Sequence, residues 1–247
     1  MMGLIRPQPP GFRLFLLSSA VLLVCSMNVP AQKKPAPQSF ELQTHRMDVD
    51  VDGAPRAYGP PGSETLDYLS NAHTMGRADA PVVGYLLEDA PPHRPVVQGP
   101  QDPAPGYYVS QTAFEDDSVE NERDPRRYVD ATKINYVVLG NEARSRGARL
   151  GDFVAVYSKR THRSVFGIVG DSGNPSGDEG SLHLLQALGY RFHNGKDDAV
   201  EDAEIAIRFY PGSNQDRRFF RTQAAVDKAA TQLGLSRDFD ETQKDRK

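Results

Sequence analysis

The distribution of apolar and polar residues along the chain predicts a mainly β protein. Residues 44–51 alternate polar and apolar side chains, and residues 134–139 and 153–158 are short apolar runs of strand length. Further strands are predicted at residues 81–87, 106–112, 164–169 and 204–210. Because turns rich in glycine and proline follow one another about every ten residues, a barrel-like sheet is favoured over strands that alternate with helices.

Helical patterns are few. Residues 181–188 form a short amphipathic segment that ends at Gly189, and residues 222–233 form a second one that ends at Gly234. We therefore expect a single-domain, β-barrel-like fold with a few short helices, and a double-psi-like barrel is one form that it can take.

The first 31 residues have the features of a signal peptide. Arg6 and Arg13 precede an apolar run at residues 14–25, and small residues follow at positions 29–31. The run has about 12 residues, fewer than the roughly 18 needed to cross a bilayer, so cleavage is favoured over a retained anchor. The protein is expected to be secreted, to the extracellular space or the periplasm, with no membrane span after cleavage.

The rest of the chain is divided by composition. Residues 32–40 are a flexible lead-in, residues 41–220 are the predicted catalytic domain, and residues 221–247 are a helical, charged C-terminal tail. The only cysteine, Cys25, lies in the signal peptide, so the exported protein is expected to contain no disulfide and to depend on its apolar core. We expect a monomer.

The charge of the chain bears on its partners. The net charge is −4, and removal of Arg6 and Arg13 with the signal peptide lowers it to −6. An acidic protein repels the phosphate backbone, which argues against nucleic acid as the ligand. It is suited to a cationic ligand.

The segment at residues 167–181, GIVGDSGNPSGDEGS, contains two acids in a notable arrangement. Asp171 ends an apolar strand, and Glu179 precedes the next ordered segment after a loop rich in glycine. If the loop folds back, the two carboxyl groups can lie roughly 6.5–9.5 Å apart, which leaves room for the attacking water of an inverting glycoside hydrolase. The spacing permits this arrangement without requiring it.

The same segment permits a serine nucleophile. Ser172 lies in GDSG, as in the nucleophile loop of trypsin-like proteases, and His73 is available upstream. The nucleophile-elbow pattern G-x-S-x-G fails at Asn174, however, and the disulfides typical of exported proteases are absent. A serine in an ordinary turn is the simpler interpretation of Ser172.

A third pattern has the form of half a calcium loop. Asp48, Asp50, Asp52 and Gly53 match the first half of an EF-hand, but Gly59 stands where the bidentate glutamate is required. Three acids on one strand face need a positive partner, and either a metal ion or a sugar amine can supply it. The six histidines lack zinc-ligand spacing. We predict neither a structural metal nor a cofactor.

Residues 166–189, FGIVGDSGNPSGDEGSLHLLQALG, resemble the catalytic segment of glycoside hydrolase family 75, the secreted endo-acting chitosanases. Similar blocks occur in the order found in the family and cover most of residues 41–215. They lie at residues 47–60, 128–140, 150–158 and 204–213.

The resemblance implies endo-hydrolysis of the β-1,4 linkages of chitosan with inversion. It places the catalytic aspartate on Asp171 and the catalytic glutamate on Glu179. Asp178 stands where family members usually have glycine, so Asp178 is an alternative to Glu179. Desolvation at the end of an apolar strand favours Asp171 as the acid, and a helix N-terminus favours Glu179 as the base. The charge of Asp178 opposes this assignment.

Further residues are candidates for binding a cationic polysaccharide. The candidate charged groups are Asp48, Asp50, Asp52 and Asp130, and the candidate stacking rings are Tyr58 and Tyr128. A non-catalytic exported polysaccharide-binding protein remains the alternative function, followed by a serine protease that uses Ser172.

Overall fold

The structure is a computed structural model that describes Gly3, residues 38–77 and residues 79–239. The chain divides into two compact units, residues 1–35 and 36–247, and every described strand and helix belongs to the second. Apart from Gly3, the predicted signal peptide lies outside the described residues. Most of the predicted lead-in and the end of the predicted tail also lie outside them.

Eight strands form one curled, mixed sheet with the shape of a half-barrel. The strands are β1 (Phe40–Gln43), β2 (Met47–Asp50), β3 (Tyr136–Leu139), β4 (Phe153–Ser158), β5 (Arg163–Ser172), β6 (Glu179–Ser181), β7 (Ala199–Val200) and β8 (Ile205–Phe209). Their order across the sheet is β1-β8-β4-β5-β3-β6-β2-β7. The predicted mainly β, barrel-like fold is confirmed.

Three short helices accompany the sheet: α1 (Asn141–Ser145), α2 (Leu182–Ala187) and α3 (Gln223–Gln232). The side chain of Ser181 caps α2 by accepting a hydrogen bond from the Leu184 N–H, and Thr222 caps α3 in the same way. The two predicted helices are therefore confirmed. None of the described helices combines the length and the apolar character needed to cross a membrane.

The strand predictions succeed where pairing is continuous. β4 has the predicted bounds, and β2, β3, β5 and β8 overlap their predicted segments. The prediction of strands at residues 81–87 and 106–112 was wrong, because these segments form only isolated bridges, such as Tyr85 with Ser110. Prolines are frequent between the two segments, and a proline cannot donate a hydrogen bond to a continuous ladder.

The core lies under the sheet and includes side chains from β3, β4, β5 and α2. Tyr136, Phe153, Ile168 and Leu184 are at most 1% exposed. α3 packs against β5 and contributes Val226 and Ala230 to the same core cluster. α3 is thus part of the packed fold, while the predicted domain boundary at residue 220 stays a prediction.

Candidate active site

The two predicted catalytic acids lie on opposite sides of one residue of β3. Val138 pairs with Asp171 of β5 in the parallel ladder. On the other side of β3, Val137 pairs with Gly180 of β6 in the antiparallel ladder, which places Glu179 beside Val138. Two ladder steps separate their backbones by about 9–10 Å, close to the carboxyl separation of roughly 6.5–9.5 Å in inverting glycosidases.

A β-bulge sets the position of Asp171. The pairing of β3 with β5 shifts between Val137 and Val138, so that Gly170 is an extra residue in β5. A Cβ atom on Gly170 would lie 2.6 Å from the Cβ of Tyr136, so only glycine fits there. Bulges redirect the side chains that follow them, and here the redirected residue is Asp171.

The loop between the two acids is fixed to the start of α1. The N–H of Asn141 donates to the Pro175 carbonyl at 2.8 Å, and the Asn174 side chain accepts from the N–H and the hydroxyl of Ser176. The backbones touch closely, since a Cβ atom on Gly140 would lie 2.6 Å from the Ser176 oxygen. The glycine-rich loop therefore folds back, as the sequence allowed.

Glu179 does not begin a helix, which corrects the expectation from sequence. It is the first residue of the short strand β6, and α2 begins three residues later with Ser181 as its cap. The helix N-terminus therefore acts on Ser181 and the residues after it. The argument that a helix field makes Glu179 the base is accordingly withdrawn.

Strand β2 adds the acids of the predicted calcium-like pattern. Asp48 and Asp50 are half-buried and alternate with buried residues, and Asp48 pairs with Glu179 in the parallel ladder. Asp52 follows in a turn, where its N–H donates to Asp50 Oδ1 at 2.8 Å. The structure thus brings the three aspartates and the predicted catalytic pair to one place.

These residues line a cleft of about 540 Å³. Its acids are Asp48, Asp50, Asp52, Asp67, Asp171, Glu179, Asp197 and Asp198. Among residues 38–77 and 79–239, the lysine and arginine side chains that line the cleft with these eight acids are Arg46 and Lys196, and Arg46 pairs with Asp48. The cleft is therefore strongly anionic, and it favours cationic ligands.

Asp171 is 7% exposed and is held rigidly. Its Oδ1 accepts hydrogen bonds from the N–H groups of Ala113 at 2.8 Å and Ser172 at 2.7 Å. Burial raises the pKa of Asp171 well above its usual range, and the charge of Asp50 raises it further, while the two N–H groups oppose the shift. The environment of Asp171 therefore favours its protonated form.

The pKa of Glu179 is also raised above its usual range. Burial, followed by the charge of Asp50, raises the pKa of Glu179 to about 8, and a hydrogen bond from the Asn174 side chain lowers it. Asp178, the alternative catalytic acid, does not line the cleft, although its carbonyl accepts the N–H of Asp48 at 2.9 Å. The geometry favours Glu179 over Asp178.

Asp50, Asp52 and Asp171 form a compact triad, with one carboxylate oxygen from each lying within 4.8 Å of the others. At an effective dielectric constant of about 20, two unit charges at that distance repel each other by roughly 3.5 kcal/mol. Such a triad can share a cation or hold a proton. N–H groups already donate to Asp50 and Asp171, and the Tyr58 hydroxyl donates to Asp52 at 2.7 Å, so a proton suits the remaining oxygens.

Asp67 is a member of the cleft that the sequence did not indicate. It is 6% exposed and accepts hydrogen bonds from the Tyr68 N–H and the Asn71 side chain, and burial raises its pKa to about 7. A single acid in a polar loop gives no periodic signal. Lys196, Asp197 and Asp198 also reach the cleft from a loop that no pattern singled out.

Two predicted binding residues are absent from the cleft lining. Asp130 accepts hydrogen bonds from Thr132 and pairs with Lys133 at 2.7 Å, so it stabilises a local turn. Tyr128 is 5% exposed, and its hydroxyl donates to the Glu122 carbonyl. Their positions provide no contact with a ligand in the cleft.

The predicted stacking role of Tyr58 is also unsupported by its position. The ring is 2% exposed and packs against Tyr85 with a centroid distance of 5.5 Å. A ring that is covered by protein has no face to offer a sugar. Tyr58 instead serves the cleft through the hydrogen bond that its hydroxyl donates to Asp52.

Ser172 and His73, the residues of the protease alternative, both line the cleft. His73 Nδ1 lies 2.7 Å from the Ala80 carbonyl oxygen, which holds the ring. Within residues 38–77 and 79–239, no hydrogen bond joins His73 to Ser172. The structure therefore gives the serine alternative no activated nucleophile.

Comparison of the chain with models of known protein families gives no match, and a search of curated proteins gives no match either. The assignment of a function therefore depends on the residues and the geometry of the cleft.

Proposed function

We propose that this protein is an endo-acting chitosanase that hydrolyses β-1,4 linkages between glucosamine units with inversion. The observation that carries the proposal is the position of Asp171 and Glu179 on either side of Val138, in one anionic cleft. The resemblance of residues 166–189 to the catalytic segment of glycoside hydrolase family 75 supports the same pair independently of the geometry.

In the proposed reaction Asp171 is the general acid and Glu179 the general base. Asp171 donates its proton to the glycosidic oxygen as the bond from that oxygen to the anomeric carbon breaks. Glu179 removes a proton from the water whose oxygen forms the new bond on the opposite face of the sugar. Asp171 ends ionised and Glu179 ends protonated, and exchange with solvent restores the starting state.

The pKa values support these roles in part. Burial and the charge of Asp50 raise the pKa of Asp171, which suits a proton donor. Glu179 must be ionised to act as a base, although burial raises its pKa to about 8. The ammonium group of a bound glucosamine unit is a nearby cation and lowers this pKa, so that substrate binding itself prepares the base.

The proposed substrate follows from the charge of the cleft. Chitosan in mildly acidic water is a polycation, and those acids of the lining that stay ionised attract and orient it. Asp197 lines the cleft outside the triad and can pair with a sugar amine. Asp48 lies beside Glu179 in the ladder, where it can pair with an amine near the point of cleavage.

We also propose that the protein is exported and acts as a monomer. The basis for export is the sequence of residues 1–31, with two arginines before a short apolar run. Tryptic mass spectrometry of the protein recovered from the medium or the periplasm is expected to show an N-terminus at Gln32. Retention of residues 1–31 would contradict the proposed cleavage.

The competing proposal is a polysaccharide-binding protein without catalysis. Purified protein incubated with soluble chitosan is expected to release reducing ends, and proton NMR of fresh products is expected to show the α-anomer, as inversion requires. Asp171→Asn and Glu179→Gln should each lower the rate by about 10²–10⁴-fold, the usual contribution of a general acid or base, with unchanged circular dichroism.

Asp130→Asn is the matched control, because it makes the same chemical change outside the cleft and should retain activity. Binding of chitosan without any release of reducing ends would overturn the hydrolase and favour the binding protein. Chitosans of graded acetylation, with products read by mass spectrometry, define which units occupy the cleft.

A further inference from the structure

The triad raises the question of what keeps a proton on Asp171 during catalysis. Asp171 accepts two backbone N–H groups on Oδ1, and such bonds stabilise an ionised carboxylate. Taken alone, this environment would favour loss of the proton that the proposed acid must donate. Burial acts in the opposite direction, and a nearby negative charge adds to its effect.

Asp50 is the nearby group with the required charge and position. Its Oδ1 accepts the Asp52 N–H at 2.8 Å, and one of its oxygens lies within 4.8 Å of an Asp171 oxygen. Within the described residues, no ion pair involves Asp50, Asp52 or Asp171, so no basic side chain neutralises it there. Its negative charge therefore acts on Asp171.

We propose that Asp50 is a positioning residue that holds the proton on Asp171. This inference rests on the proposed function, because it assigns Asp50 a part in the acid catalysis of Asp171. Asp50 makes no proposed contact with the reacting atoms. It acts through the Oδ2 side of Asp171, since Oδ1 is occupied by the two N–H donors.

The surrounding groups fit this role. Asp171 faces Asp50, Asp52, Glu179 and Tyr136, which come from β2, the turn after it, β6 and β3. All four are acids or a neutral hydroxyl. The other charged or titratable residues of the lining are Arg46, Asp48, Tyr58, Asp67, His73, Lys196, Asp197 and Asp198.

Hydrogen bonds favour the ionised form of Asp50 and partly offset its burial. Burial raises its pKa to about 6, and the hydrogen bonds from Asp52 and Tyr136 lower it. The pKa of Asp171 lies well above its usual range, with Asp50 as the largest contribution after burial. The charge of Asp50 therefore favours the protonated form of Asp171, and the two groups titrate as a coupled pair.

The test is the pH profile of hydrolysis of a soluble glucosamine hexamer by the wild type and Asp50→Asn. At the alkaline end of the profile, the variant should lose activity at a pH about 1–2 units lower than the wild type does. The reason is that a neutral amide no longer opposes ionisation of Asp171. The pH at which activity falls at the acidic end should also be lower in the variant, since Asp50 raises the pKa of Glu179. Asp50→Glu should restore much of the wild-type profile.

Asp48→Asn is the matched control on the same strand. Asp48 raises the pKa of Glu179 but is not among the groups that shift Asp171, so this variant should move only the acidic side. If the role of Asp50 were only structural, Asp50→Asn would have a lower rate at every pH. The pH values at which activity falls at the acidic and alkaline ends of the profile would then be unchanged. That result would overturn the inference.

A second measurement does not depend on the reaction. The test band is the part of the carbonyl infrared absorption of protonated carboxyl groups that Asp171→Asn removes, because Glu179 and Asp67 also hold protons near pH 7. This band should be present in the wild type at pH 7 and weaken in Asp50→Asn. A wild type that does not cleave chitosan but has this band contradicts the proposed function and leaves the proton arrangement supported. An active wild type without the band contradicts the inference alone.

The same samples test whether a cation replaces the proton. Addition of EDTA, Mg²⁺ or Ca²⁺ is expected to leave activity and the infrared band unchanged. Loss of activity in EDTA with recovery on addition of Ca²⁺ or Mg²⁺ would overturn the inference, because the metal would then balance the charge of the triad.

Discussion

Asp48 and Glu179 are direct partners in the parallel pairing of β2 with β6. Two acids in this relation repel each other and destabilise the sheet. Arg46 offsets part of the repulsion, since its Nε donates to Asp48 Oδ1 at 2.7 Å. When both acids are ionised, the unbound protein therefore retains an unfavourable interaction that a bound cation would relieve.

Asp48→Asn should consequently stabilise the protein while it weakens substrate binding. Above about pH 8, where Glu179 is ionised, we expect the free energy of unfolding to rise by about 0.2–1 kcal/mol, the usual size of a cross-strand pair. We also expect KM for chitosan to increase. Thermal melts and initial rates at low salt provide the measurements. A lower melting temperature combined with an unchanged KM would contradict this account.

The buried acids also predict how stability depends on pH. A carboxyl group whose pKa is higher in the folded than in the unfolded protein binds its proton more tightly when folded. Its stabilising contribution is complete below the unfolded pKa and is lost as pH rises to the folded pKa. For Asp50, Asp67 and Glu179 the folded values are about 6, 7 and 8, against about 4 when unfolded.

The melting temperature should therefore fall between pH 5 and pH 8, by about 4–8 °C if the loss is on the order of 2 kcal/mol. Differential scanning calorimetry at constant ionic strength measures it. Asp67→Asn should reduce the fall, because its side-chain oxygen can still accept from Tyr68 but the group no longer ionises. A melting temperature that rises over this range would refute the assignment of raised pKa values.

The contact of Gly140 with the loop at residues 173–178 predicts that a substitution at Gly140 affects the cleft from a distance. Gly140→Ala would place a Cβ atom 2.6 Å from the Ser176 oxygen. We expect a loss of about 1–3 kcal/mol from overpacking and a fall in kcat, because displacement of this loop moves Glu179. Gly99→Ala is the control, with its nearest contact at 3.6 Å. Equal activity of the two variants would show that the loop is not positioned by Gly140.

The attachment of α3 to the sheet predicts a further loss of stability. Gln223 accepts the Asn135 N–H at 2.8 Å and donates to the Phe166 carbonyl at 3.0 Å. Gln223→Ala leaves both groups without this partner and should cost about 1–3 kcal/mol. Urea unfolding measures the change.

Gln186→Ala, which removes an exposed glutamine from α2, should stay within about 0.5 kcal/mol of the wild type. If Gln223→Ala were as stable as Gln186→Ala, α3 would contribute little to the packed fold.

Local patterns predicted the parts of the fold that local physics determines. The apolar run of β4 and the capped helix α3 were located closely, because each is defined by side chains near in sequence. β6 and β7 have three and two residues and escaped prediction. Such short strands exist only because a neighbouring strand supplies their hydrogen bonds.

The same distinction applies to the cleft. Asp171 and Glu179 stood out because a loop rich in glycine joins them, and the alternation of Asp48 and Asp50 marked one face of β2. The burial of Asp67 and the covering of Tyr58 depend on distant segments. The sequence pattern offered no means of separating Asp130 and Tyr128 from the residues that line the cleft.

The pairing of β2 with β6 has a consequence for the time course of folding. Asp48 and Glu179 are far apart in the chain, and contacts of large sequence separation form slowly because a long loop must first close. The β4–β5 hairpin closes over only a few residues. After dilution from denaturant, ellipticity should therefore recover before the cleft is complete, and the chain should pass through a largely structured stage in which Asp48 and Glu179 are not yet paired.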